Sequence, residues 1–167
     1  VESPGGKLIS HTMQPIRITE EIEPIAVKKI NENTWIYDMG QNFAGWAKIT
    51  LNGEKSTKLL LRFAEEISED GSLNPSSNEH AKATATYILK GNGTETYEPK
   101  FTFFGYRFVE VTAEGNFPEI KDIIGCVVRT AADLTGSFEC DNELINKIHR
   151  ATVWSQKSNM MGYPLDC

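Results

Sequence analysis

Thr34–Leu51, TWIYDMGQNFAGWAKITL, is the stretch on which the reading of the fold turns. Within it Trp46, Lys48 and Thr50 alternate with Ala47, Ile49 and Leu51, and a period of two belongs to a half-buried strand of an antiparallel sheet. The stretch predicts two strands, Thr34–Asp38 and Trp46–Leu51, joined by a corner. Gly40 and Gly45 bracket Gln41, Asn42 and Phe43, and glycine lets a backbone bend where a side chain would forbid it. The corner gathers Asp38, Gln41 and Asn42, whose polar groups can hold a metal, a sugar or the backbone of the turn itself. Asx side chains routinely do the last.

Outward from the corner the same period recurs. Towards the N-terminus, Ile16 and Ile18, then Ile25 and Val27, mark short strands over Pro15–Thr19 and Ile25–Ile30. Towards the C-terminus, Asn52-Gly53 is a hairpin signal, and Lys58–Ile67 (KLLLRFAEEI) reads as a central strand apolar on much of both faces. Of Glu65 and Glu66, alternation points one inward, where a carboxylate must find a partner. Ala83–Leu89 is a further strand, closed by a second hairpin signal at Lys90-Gly91-Asn92-Gly93. Thr96–Thr112 is rich in aromatics, including Phe101, Phe103, Tyr106 and Phe108, and Gly105 inside it indicates a bulge or bend. Such rings form either core or a sugar-stacking platform, with core the heavier expectation in a domain of this size. Ile120–Arg129 and Thr135–Cys140 complete roughly nine predicted strands, and no helical pattern precedes residue 141. The expected class is mainly β: an antiparallel β-sandwich, jelly-roll-like, with one C-terminal α-helix.

That helix has clear local signals. Asp141 is placed to cap it, with Glu143 in the first turn against the positive end of the dipole. Leu144, Ile148, Ala151 and Ser155 recur at helical spacing, and the helix is expected to run to about Ser158. A lone amphipathic helix has nothing of its own to bury against, so it either lies back on the sheet or meets partners elsewhere. The chain divides accordingly into a β-sandwich over 1–135 and a linker strand with helix over 136–167.

Composition narrows the function. The 167 residues are 40% hydrophobic and 24% charged, as in folded globular domains. A net charge of −6 argues against a nucleic-acid surface, which needs clustered Lys and Arg. No apolar run approaches the roughly 20 residues that cross a bilayer as a helix. Cys126, Cys140 and Cys167 lack the close spacing of a zinc site, and a Cys126–Cys140 disulfide requires their two segments to pair. The longest polar segment, Glu69–His80, is expected to be a structureless loop. It carries Asp70, Asn74 and Asn78, oxygen-bearing side chains of the kind calcium takes, without the spacing of an EF-hand.

Four stretches together resemble one family: YDMGQNFAGW (Tyr37–Trp46), RFAEEISEDGSL (Arg62–Leu73), ATYILKGNGTETYEPKFTFFGYRFVEV (Ala85–Val111) and GSFECDNELINKIHRATVWSQKSNMMGYPLDC (Gly136–Cys167). The chain resembles the bacterial α-L-rhamnosidases, which are glycoside hydrolases. The resemblance implies a β-sandwich that precedes an (α/α)6-barrel catalytic domain. Pro164, Asp166 and Cys167 match the start of the family's P-x-D-C-P-x-R run, so the chain is expected to stop before the acid carboxylate, with the base further on and no catalytic residue within it. Asp166 is implied to hydrogen-bond the rhamnose ring. An inverting mechanism is implied as well, in which acid and base stand roughly 6.5–9.5 Å apart to admit a water. The implied partners are a rhamnose-containing glycan or glycoside and the barrel of the same polypeptide, with no nucleic acid and no membrane. An alternative from the same resemblance is a calcium-dependent carbohydrate-binding module with Asp38, Asn42, Asn74 and Asn78 as ligands.

Overall fold

A computed structural model describes residues 4–165. The chain runs through β1 (Ile16–Ile22), β2 (Ala26–Asn31), β3 (Thr34–Asn52), β4 (Lys58–Ala64), β5 (Glu66–Ile67), β6 (Leu73–Asn74), β7 (Thr84–Ile88), β8 (Thr94–Tyr97), β9 (Phe104–Glu114) and β10 (Glu119–Thr130). It ends in α1 (Glu143–Ser158) and a small hairpin of β11 (Met160–Met161) and β12 (Tyr163–Pro164). The class is mainly β and antiparallel, with one C-terminal helix.

The two strands expected in Thr34–Leu51 are one strand of 19 residues. The corner between them is a bulge inside it. Asp38 pairs with Phe108 and Phe43 with Tyr106, so Met39–Asn42 stand against Arg107 alone. Gly40 takes φ +75° there, a conformation costly to a residue with a Cβ, and extra residues on one side of a ladder bend the strand and increase its twist. Gly45 has a different reason. A Cβ on it would lie 1.9 Å from the carbonyl oxygen of Cys126, so only glycine lets β3 and β10 approach.

The bend allows β3 to serve two parts of the sheet. Thr34–Asp38 lies between β2 and β9, and Ile49–Asn52 lies between β10 and β8. The main sheet follows the order β1-β10-β3-β9-β4-β7 and curls around a shared core. Ala47, Ile49, Leu51, Leu59, Leu61, Tyr106, Val109 and Val111 are fully buried in it, with Met39, Phe43 and Phe63 almost so. Each large apolar side chain so buried contributes about 1.5–3 kcal/mol relative to exposure. Phe63 stacks on Phe104 with ring centroids 4.3 Å apart and meets the edge of Tyr106 at 4.9 Å.

Several local expectations are corrected. Asn52-Gly53 and Lys90–Gly93 do turn the chain, but neither closes a hairpin: β9 separates β3 from β4, and β7 pairs with β4 while β8 pairs with β3. Thr135–Cys140 forms no strand. Glu69–His80 holds β6 and a short 3-10 turn, Ser76–Asn78. The cap of α1 is Asn142, not Asp141: its Oδ1 accepts from the amides of Leu144 and Ile145 at 3.0 and 3.4 Å. Cys126 is a buried free thiol and Cys140 is also free.

Candidate functional site

A cleft of about 600 Å³ opens where the bulge of β3 faces α1. Gln41, Asn42 and Glu65 supply its polar wall; Phe103 and Trp154 supply aromatic surface. Each wall follows from local structure. The bulge turns Gln41 and Asn42 out of the ladder, and Glu65 follows directly after β4 ends at Ala64. Asn42 Nδ2 donates to Glu65 Oε1 at 2.8 Å, and Gln41 Nε2 donates to the Asn42 carbonyl at 2.7 Å. Neither Glu65 nor Glu66 is buried, which corrects the expected inward carboxylate, although Glu65 has the partner that expectation required.

Each of the four candidate ligands has hydrogen-bond partners of its own. Asp38 takes a bidentate pair from Arg107, Nε to Oδ1 at 2.7 Å and Nη2 to Oδ2 at 2.8 Å, and also accepts from the Gly40 amide at 2.7 Å. The Arg107 hydrogen bonds hold its carboxyl below the ordinary value, against the opposing effect of burial. Asn42 lines the cleft. Asn74 Oδ1 accepts from the Ser76 amide at 3.0 Å, an Asx turn that opens the 3-10 segment. Asn78 Nδ2 donates to the Phe63 carbonyl at 2.9 Å and lines a different cleft, beside Leu73 and Ala83. Asp70 closes its own turn through the Ser72 amide and hydroxyl at 2.8 and 2.7 Å, bonds that keep its carboxyl low. Among the described residues no three His, Cys, Asp or Glu side chains are grouped to hold a metal ion. Asp166 lies outside the described residues.

Arg107 and Trp154 went unnoticed in the sequence. Arg107 becomes the partner of Asp38 only because the bulge sets it against four residues of β3, which no local pattern announces. Trp154 had a signal: it follows Ala151 by three residues and precedes Ser158 by four, the spacing of one helix face. Of the aromatics of the Thr96–Thr112 stretch, Tyr106 and Phe108 are core, whereas Phe101 is fully exposed in a left-handed conformation, φ +58°.

Residues 28–129 match the family described as bacterial alpha-L-rhamnosidase concanavalin-like domain. The chain belongs to that family. Residues 133–167 match a second one, the bacterial alpha-L-rhamnosidase 6 hairpin glycosidase domain. The structure of an alpha-L-rhamnosidase from Dictyoglumus thermophilum superposes with a TM-score of 0.92 at 48% identity, covering 100% of this chain and 19% of that one. The Streptomyces avermitilis alpha-L-rhamnosidase is 36% identical over 160 residues, 96% of this chain and 16% of its own length. Its crystal structure, solved with L-rhamnose, gives a TM-score of 0.87 over 95% of this chain. The chain thus spans less than a fifth of these rhamnosidases.

Proposed function

We propose that this chain is the non-catalytic sandwich of a longer α-L-rhamnosidase polypeptide, and that it shapes and braces a barrel in which terminal α-L-rhamnosyl bonds are hydrolysed. The division falls near residue 135: the sandwich lies before it, and the extended linker and α1 after it begin the catalytic domain. Acid and base stand outside this chain and act by inversion, one protonating the leaving oxygen and the other activating water. Asp166 hydrogen-bonds the rhamnose ring.

The observation that carries this is the bare face of α1. Leu144 is 65% exposed and Ile148 58%, in the segment that matches the glycosidase domain. A contiguous apolar helix face of this kind is a surface built to be covered. Purified chain incubated with a chromogenic α-L-rhamnoside is expected to release no chromophore, while the longer polypeptide does. Turnover by the chain that co-purifies with it through successive columns refutes the assignment.

A carbohydrate-binding role is favoured by one feature, the pairing of aromatic surface with amide and carboxylate groups in the cleft at Asn42 and Glu65. Calcium at Asp38 would have to displace Arg107 from both carboxylate oxygens, whereas Asn42 stays accessible to a sugar. Titration of L-rhamnose into the chain by calorimetry, with and without calcium, separates the roles: heat in either arm supports binding, and none in both supports the brace alone.

A further inference from the structure

Apart from Asn146, α1 buries no residue fully, and the two Asn146 bonds go to the backbone of Cys140 rather than to the sheet. Apolar burial alone does not set where this helix ends, although Trp154 packs partly against the sandwich core. Polar ties do. Glu20 Oε1, on β1, accepts from Lys157 Nζ at 2.8 Å, and Arg129 Nη2 from β10 stands 3.6 Å from the same oxygen. The Lys157 and Arg129 side chains are only 13% and 11% exposed, and the Lys157 ammonium also lies 4.5 Å from the centre of the Trp154 ring. Losing the partly exposed Glu20 carboxylate would leave both of these shielded cations without that partner, which is costly.

A second tie follows the helix. Met160 and Met161 pair with Pro164 and Tyr163 across a turn at Gly162. Gly162 takes φ +84°, and a Cβ there would meet nothing within 4 Å, so glycine is required by the conformation and not by space. Its amide donates 2.7 Å to Thr130 Oγ1, at the end of β10, and Thr130 is 4% exposed. The Leu165 amide returns to the Asn159 carbonyl at 2.7 Å. Residues 157–162 are therefore held at both ends by side chains of the sandwich, and Leu165, the residue before Asp166, is tied back onto the same segment at Asn159.

We infer that Thr130 and Glu20 are positioning residues: from the sandwich they fix the segment that delivers Asp166 to the sugar. The inference rests on the rhamnose-binding role proposed for Asp166. It gives the sandwich a specific task in the reaction, which is to set the direction in which the chain enters the site. A displacement of about 1 Å in a substrate-holding group can lower turnover about a hundredfold.

The test uses the longer polypeptide. Thr130→Val keeps the volume and removes the acceptor; Thr130→Ser keeps the acceptor. The Val variant is expected to speed amide hydrogen exchange at Gly162 and its neighbours about tenfold and to lower kcat for a chromogenic aryl α-L-rhamnoside about tenfold, with KM moved less. The Ser variant restores both. Glu20→Gln, at a partly exposed position, shifts both readouts the same way by a smaller factor, and decides the question if the Val variant does not fold. Asp166→Asn isolates the underlying assignment: parental turnover there removes the role of Asp166, and with it the catalytic consequence of the ties. Loss of turnover in Asp166→Asn, with parental kcat in Thr130→Val and Glu20→Gln, overturns the positioning role whether or not exchange has quickened.

Discussion

Along β3 every second side chain from Ala47 to Leu51 is fully buried, whereas the one buried residue of α1 is the polar Asn146, still 8% exposed. Both elements are long, regular and amphipathic. They differ in what is present to receive their apolar faces. The strand has β2, β8, β9 and β10 hydrogen-bonded along its flanks and the inner faces of β4 and β9 contributing to the same core. The helix touches the sandwich through Trp154 and Lys157 and turns Leu144, Ile145 and Ile148 to solvent. A sandwich that closes its own core can fold before its neighbour is in place. A helix with a bare apolar face is stabilised fully only when something packs on it.

The sharpest way to break this contrast is a truncation in the core. Phe63→Ala removes a ring nearly excluded from solvent and stacked on Phe104, and is expected to cost about 3–5 kcal/mol, read from urea unfolding. A loss below about 1 kcal/mol, within the range of ordinary surface substitutions and their scatter, would mean that the core is not close-packed. Next comes the tie across the bulge. Arg107→Met is expected to cost about 1–2 kcal/mol at neutral pH, the value of a bidentate charge-assisted pair reduced for partial exposure. Because Arg107 depresses the folded-state carboxyl of Asp38, this contribution is complete above the unfolded value of about 3.9 and disappears as pH falls through the lower folded value. The parent and variant stability curves should therefore converge in acid. Divergence there would show that the pair acts through something other than its charge.

Tyr106→Phe has a smaller effect and the opposite sign. The Tyr106 hydroxyl is buried with no hydrogen-bond partner, and burial pushes its ionisation well above the ordinary phenol. Removing it is expected to raise stability by about 1 kcal/mol. A loss would reveal a partner for that oxygen. The smallest effect belongs to the other half of the contrast. Ile148→Ala in this chain alone should change stability by no more than about 0.5 kcal/mol, and in the longer polypeptide by about 2–4 kcal/mol. Equal small effects in both settings would show that nothing covers the helix.

Much of the local structure was legible. Alternation at Trp46–Leu51 and Leu59–Phe63 located buried strands, and helical spacing after residue 141 located α1 to within a residue or two at both ends. The errors cluster where a local signal had two outcomes. Asp141 and Asn142 are both good caps, and the chain geometry chose the second. Asn52-Gly53 is a turn in either case, and whether the flanking strands then pair depends on β9, more than fifty residues further on. Gly40 marks a bend, but a bend between two strands and a bulge within one look the same in sequence.

What the sequence determined by itself is therefore periodicity and punctuation: where side chains alternate, where a helix starts, where the backbone needs glycine. Partnership was decided by the tertiary structure. Backbone hydrogen bonds are chemically identical along every strand, so the neighbours of β3 are selected by sheet closure and by which side chains meet in the core. For the same reason the pairing of Asp38 with Arg107 and of Thr130 with Gly162 became visible only once distant segments had been brought together.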